Sequence, residues 1–142
     1  MSYDITIVDK DGNPVHSKKP HGIKGGTYCP ESTELWLNIT FNYSKIFKRN
    51  EVFGENGILC LQGMSVKDAI PIVQKAWRSL KEDNEQCWKV KEDENGKIIF
   101  EGSIIPKPTS YWDATDGNAK IAIGNLGELL EMAPEEATIE IG

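Results

Sequence analysis

Three groups of residues in this chain have types and spacings that could do chemistry. The first is the run from Lys18 to Pro30, KKPHGIKGGTYCP. Successive backbone N–H groups around Gly25 and Gly26 could cradle an oxyanion, with Lys24 adding charge, Thr27 a hydroxyl and Tyr28 a ring. The spacing matches neither the GxxxxGK[ST] phosphate loop nor GxGxxG. His21 stands beside this loop as a candidate acid/base. Cys29 could act as a nucleophile with His21 as its base, although no third, orienting group follows from the sequence. The alternative is a surface loop with turn glycines and a structural histidine.

The second group is Tyr111-Trp112-Asp113-Ala114-Thr115-Asp116-Gly117-Asn118-Ala119. Two large rings directly before a helix N-terminus stand beside exposed N–H donors, and Asn118 adds an amide. Such a set suits a planar, hydrogen-bonding ligand such as a nucleobase. Asp113 and Asp116 already complement the positive end of the helix, which favours a base, ribose or ammonium group there over a phosphate. Core aromatics plus capping residues are the plainer account. The third group is Leu35 to Ser44, LWLNITFNYS, which alternates strictly and carries no charge. Leu35, Leu37, Ile39, Phe41 and Tyr43 make one face, and Trp36, Asn38, Thr40, Asn42 and Ser44 the other. An uncharged ladder of amides and hydroxyls capped by Trp36 is a surface for a polar ligand or a second protein layer. It could also be an ordinary Thr- and Asn-decorated strand edge.

Other chemistry is excluded or disfavoured. Cys29, Cys60 and Cys87 form no CxxC pair, and only His16 and His21 could supplement them, so no metal site and no cofactor are expected. Three reduced thiols are the simpler account. Asp9, Asp11 and Asn13 begin like a calcium loop, but Pro14 and Pro20 stand where Gly and Glu are needed. Net charge is −6, and the 142 residues divide it unevenly: residues 1–50 hold seven Lys/Arg against five Asp/Glu, and residues 51–142 nine against seventeen. A nucleic-acid binder would carry a basic stripe across the domain, so nucleic acid is not an expected partner; a local anion site in the first third is compatible. No run approaches the ~18 apolar residues of a membrane span. MSYDITIVDK reads as a strand without a secretory signal's charged and apolar regions, so a cytoplasmic location is expected.

These groups must be held by an α+β domain spanning residues 1–142. Tyr3, Ile5 and Ile7 alternate with polar neighbours in a first strand, Asp11-Gly12 marks a turn, and residues 15–17 make a short return strand. The strand at 35–44 follows, whereas residues 45–64 show no assignable period. Ser65 and Asp68 open one helical turn, followed by a helix proper with Pro71 in its first turn, and Ile70, Val73, Trp77 and Leu80 fall on one face. Residues 87–104 read as a hairpin turning at Asn95-Gly96. Thr115 or Asp113 caps a second helix of about seventeen residues, its stripe Ala119, Ala122, Ile123, Leu126, Leu130 and Ala133. Gly124 and Gly127 cost that helix roughly 1 kcal/mol each and suggest close packing on a neighbour. Ala137 to Ile141 alternates as a last strand. The expected architecture is a mostly antiparallel sheet with two helices on one face and a peripheral hairpin.

The chain resembles a family of small uncharacterised proteins found in bacteria, prophages and phages. The resemblance rests on Tyr3-Asp4-Ile5; His21 with Gly25-Gly26-Thr27-Tyr28; Trp36 to Tyr43, with Phe41 in place of Tyr; Gly63-Met64-Ser65 with Ile70-Pro71; and Tyr111-Trp112 with Thr115, Gly117, Asn118 and Ala119. It covers most of the chain, and against it residues 87–104 look like an inserted hairpin. The resemblance implies a shared site and a phage setting, but no reaction. The leading expectation is a binding protein for a small polar, nucleotide-like molecule, contacted by His21, Lys24 to Tyr28, Trp36, Asn38, Thr40, Asn42, Tyr111, Trp112 and Asn118. In a phage or prophage such a binder would be an accessory or anti-defence factor; the alternatives are a small enzyme using His21 as acid/base, and a protein-interaction inhibitor of a host factor.

Overall fold

The computed structural model describes residues 2–23, 32–81, 88–103 and 114–142, with backbone alone at 88–90 and 100–103. Three strands, β1 (Ser2–Val8), β2 (Trp36–Thr40) and β5 (Thr138–Ile141), form an antiparallel sheet with β1 in the centre. Ile5 faces Leu37 on one side and Ile141 on the other; Ile7 faces Ile139. The period-two pattern sends Ile5, Ile7, Leu37, Ile39 and Ile139 into the core, each no more than 1 % exposed. The outer edge of β5 is closed by the chain itself, with Gly63 N–H donating to Ile139 and Ile139 N–H donating to Met64. The α+β expectation holds.

Helix α3 (Asp116–Glu131) is the hub of the fold, packed against β2, the short helix α1 (Ser44–Phe47), helix α2 (Val66–Ser79) and strand β4 (Ile98–Ser103). Its expected stripe is buried apart from half-buried Ala133, and Gly117, Asn118, Gly124, Asn125, Gly127 and Leu129 are buried as well. A helix covered on several sides needs more than one apolar stripe. Gly127 lies opposite Ile70, Val73 and Gln74 across a crevice too narrow for water, the close approach its missing side chain allows. Both long helices are capped as their sequences imply: Ser65 Oγ accepts from Asp68 N–H at 3.2 Å and Thr115 Oγ1 from Asn118 N–H at 3.1 Å. Lys120 fastens the two, its ammonium 4.1 Å from the Trp77 ring centre and donating to the Leu80 carbonyl at 2.9 Å.

Three expectations about elements need correction. The strand predicted over residues 35–44 ends at Thr40. Thr40 Oγ1 accepts from Asn42 N–H, Ser44 Oγ donates to the Phe41 carbonyl, and the chain turns through a 3-10 helix (Phe41–Tyr43) into α1. These short polar side chains offer the backbone local partners that compete with a ladder. Tyr43 is fully buried beside Phe47, whereas Phe41 lies at the surface against Tyr3. The return strand at 15–17 is reduced to isolated bridges, Val8 with Pro14 and His16 with Glu34. Helix α2 is continuous, with Pro71 exposed inside it rather than in its first turn. The hairpin between β3 (Trp88–Glu92) and β4, by contrast, turns at Asn95-Gly96 as expected: Gly96 takes the positive φ, 78°, and the Asp93 carboxylate accepts from Asn95 and Lys97 N–H.

This hairpin forms its own two-stranded sheet, yet it is anchored: Ile98 is 2 % exposed in the core, and Arg78 donates to the Gly96 carbonyl at 2.9 Å. The unassigned stretch 45–64 supplies Phe47, Val52, Ile58 and Leu61 to the same core. Gly57 is needed there, because its φ is 59° and a Cβ would stand 3.3 Å from Lys48 Cγ.

Candidate functional site

The N-terminal part of the candidate site is a pair of chain segments held edge to edge. Ser17 N–H donates to the Thr33 carbonyl at 2.7 Å, His21 N–H to Ser32 at 2.9 Å, and Leu35 N–H to Val15 at 3.3 Å. Residues 14–23 and 32–35 therefore run as two legs into β2, and the Gly-rich sequence joins them. His21 braces the legs: its Nε2 is 2.6 Å from the Glu34 carbonyl, and its Nδ1 is 3.4 Å from Ile23 N–H. A carbonyl can only accept and an amide only donate, so this geometry calls for the neutral ring with its proton on Nε2. That arrangement gives His21 a bracing role. Acid/base work through Nε2 would first have to break the bond to Glu34. Burial in α3 pushes the Glu128 carboxyl above its ordinary range, and only a protonated His21 ring would pull it the other way.

A groove of about 750 Å³ lies between the first leg and the end of α3. One wall is His16, Ser17, Lys18, Lys19 and Pro20; the other is Glu131, Met132, Ala133 and Pro134. That volume falls within the ~300–1,000 Å³ typical of small-molecule sites. His16 Nδ1 is 3.0 Å from Thr33 Oγ1, and the Ser17 hydroxyl donates to the Lys19 carbonyl, which together fix the leg that carries the lysines. Lys18 and Lys19 are exposed, and among the described residues neither makes an ion pair. The opposite wall is the carbonyl end of α3, where partial negative charge accumulates.

The polar sheet face differs from the expected ladder. Asn38 Nδ2 donates to Ser2 Oγ at 2.6 Å and to Asp4 Oδ1 at 2.7 Å, so its amide binds the neighbouring strand. Thr40 is 2 % exposed, and its hydroxyl caps the 3-10 turn. Asn42 sits exposed on that turn rather than in line with Trp36 and Asn38, and Trp36 is half-buried opposite Thr6. The face of four aligned side chains does not form, because the strand ends before its last member. Asn118 is 4 % exposed in the third position of α3, turned into the protein instead of out from the cap. At the same helix end Arg49 pairs with Asp116 at 3.0 Å.

Lys24, Gly25, Gly26, Thr27, Tyr28, Tyr111 and Trp112 lie outside the described residues, as does Cys29. The structure thus brings together His21, Glu34 and Glu128, and it separates Asn42 from Trp36 and Asn38. Sequence reasoning placed Lys18 and Lys19 near a site but missed its other wall, Glu131 to Pro134. The sole sequence signal for the groove was the basic balance of the first fifty residues. Among the described residues no three His, Cys, Asp or Glu side chains gather as a metal site, and no helix is long and apolar enough to cross a membrane. Comparison with protein-family models, curated proteins and solved structures finds no match for this chain.

Proposed function

We propose that the chain is a binding protein for a small polar, nucleotide-like molecule, and that the molecule occupies the groove between residues 16–20 and 131–134. The observation that carries this reading is the groove itself. It is large enough for such a ligand, it joins charged rims to an apolar floor, and its first wall runs directly into the Gly-rich sequence from Lys24 to Tyr28. The hydrogen bonds of His21 favour a bracing role, which supports binding over catalysis. In a phage or prophage setting, such a protein would sequester a molecule of the host.

The test is to denature the purified protein and identify released small molecules by mass spectrometry. The released compound is then returned to the protein, and thermal shifts are read in wild type, in Met132→Arg and in Trp36→Ala. The groove reading expects Met132→Arg to abolish the shift and Trp36→Ala to leave it. Retention of the full shift in Met132→Arg would exclude the groove, and loss in Trp36→Ala alone would move the site to the outer sheet face.

A further inference from the structure

We propose that Asn95, at the tip of the β3–β4 hairpin, is a site of spontaneous covalent modification. The Gly96 nitrogen closes on the Asn95 side chain, and the product undoes the hydrogen bonds that tie the tip together. The site is independent of the groove.

The reaction draws on the chain and on solvent water alone. The Gly96 peptide nitrogen attacks the side-chain carbonyl carbon of Asn95 and forms a cyclic imide. The side-chain nitrogen leaves as ammonia, carrying the proton that the peptide nitrogen gives up. Water then opens the imide at either carbonyl. One opening leaves aspartate; the other leaves isoaspartate, whose main chain runs through the former side chain and is one carbon longer. Nothing is oxidised or reduced. A glycine in the following position favours the closure, because no Cβ obstructs its nitrogen.

The sequence offers two such pairs, Asn56-Gly57 and Asn95-Gly96, and the fold separates them. Gly57 is buried, its N–H donates to the Gly54 carbonyl at 2.8 Å, and Ile58 after it is 0 % exposed. Swinging that nitrogen onto the Asn56 side chain would drag Ile58 out of the core. Asn95, Gly96 and Lys97 are all exposed, and nothing stands within 4 Å of where a Cβ on Gly96 would be. The Gly96 N–H donates to the Asp93 carbonyl at 3.0 Å, a bond within the tip itself. Such a tip opens locally at small cost, whereas a core segment opens near the global cost.

The same tip is closely tied. Asp93 Oδ1 accepts from Asn95 N–H at 2.9 Å and from Lys97 N–H at 2.8 Å, and the Gly96 carbonyl accepts from Arg78 at 2.9 Å. Isoaspartate lengthens the chain between these groups, so they no longer meet in register. It also adds a carboxylate beside Glu92, Asp93 and Glu94, where like charges repel. Ile98, buried in the core, holds the body of the hairpin and confines the change to the tip.

The test is to age the full chain in mildly alkaline buffer, native and unfolded in urea. Timed samples are mapped by peptide mass spectrometry, with aspartate and isoaspartate peptides separated. In the native chain Asn95 is expected to convert about tenfold or more faster than Asn56. In urea the two rates should come within about threefold, since both asparagines then precede an unhindered glycine. Asn95→Gln, which would have to close a larger ring, should leave its peptide unconverted under the same conditions. Hydrogen exchange on the isoaspartate form, separated by chromatography, should show lost protection at the Lys97 amide. Asn95→Asp, which adds the charge without the extra carbon, should keep that protection. Equal conversion of Asn56 and Asn95 in the native chain overturns the assignment of the site. So does a native Asn95 that stays intact while the urea-unfolded chain converts. An isoaspartate form that keeps Lys97 protected overturns the loosening of the tip.

Discussion

The hairpin forms a sheet of its own yet sends Ile98 into the core, and Ile98→Ala measures how firmly that side chain anchors it. Ile98 is 2 % exposed, and the substitution removes every side-chain carbon beyond Cβ. At roughly 0.8 kcal/mol per methylene-sized group the transfer loss is about 2.4 kcal/mol. Incomplete collapse of the space between β4 and α3 adds to it, so about 3 kcal/mol is expected. For a chain of this length that corresponds to a fall in Tm of about 10 °C. The assay is urea unfolding followed in parallel by tryptophan fluorescence and far-ultraviolet circular dichroism. Ile99→Ala, at a half-buried neighbour, serves as the control and should cost less than about 1 kcal/mol. A loss below about 1 kcal/mol for Ile98→Ala would mean that the hairpin detaches freely, and the argument for its anchoring would fall.

Further expectations concern the caps and the strap. Thr115→Ala removes the hydroxyl that accepts from Asn118 N–H and should cost about 1 kcal/mol in urea unfolding, with Thr115→Ser retaining most of it. Glu128 has a native carboxyl raised by burial, so the folded state holds its proton more tightly than the unfolded one, and stability falls as pH climbs from the ordinary carboxyl range through the native value. Glu128→Gln should therefore raise Tm at pH 7, with the gap closing as pH is lowered toward 4; an equal gap at both pH values would refute the burial argument. His21→Ala should cost about 1 kcal/mol through loss of the bond to the Glu34 carbonyl, and His21→Gln, which can still donate, should restore most of it. Equal losses in the two variants would refute the brace.

What the sequence disclosed was what local chemistry decides. Ser65 and Thr115 are legible as caps because each bonds an amide three residues on. Strand β2 is legible up to Thr40, where apolar and polar residues alternate. Past Thr40 the same letters support two periods, since Tyr43 continues the alternation and also stands four residues before Phe47. Contact with the core favours the helical one: both rings are buried. The groove was not legible because its walls lie more than a hundred residues apart in sequence. They meet because the pairing of β1 with β5 brings the segments flanking Val8 and Thr138 side by side. Likewise, the engagement of Asn38 by Ser2 and Asp4 depends on cross-strand register, which a single strand's pattern does not specify.

The central position of β1 sets an order of assembly. Asp4 and Gly142 exchange backbone hydrogen bonds across the sheet, so β1, synthesised long before residues 138–142, must wait for them before both its edges are paired. Until then β1 can pair only with β2, and the mostly apolar α3 has no finished layer to settle on. Contacts this distant in sequence slow folding and prolong exposure of sticky surface. A nascent chain stalled at Pro134 would thus present an unsatisfied strand edge to any chaperone nearby, and the lysine leg would have no opposite wall until β5 docks.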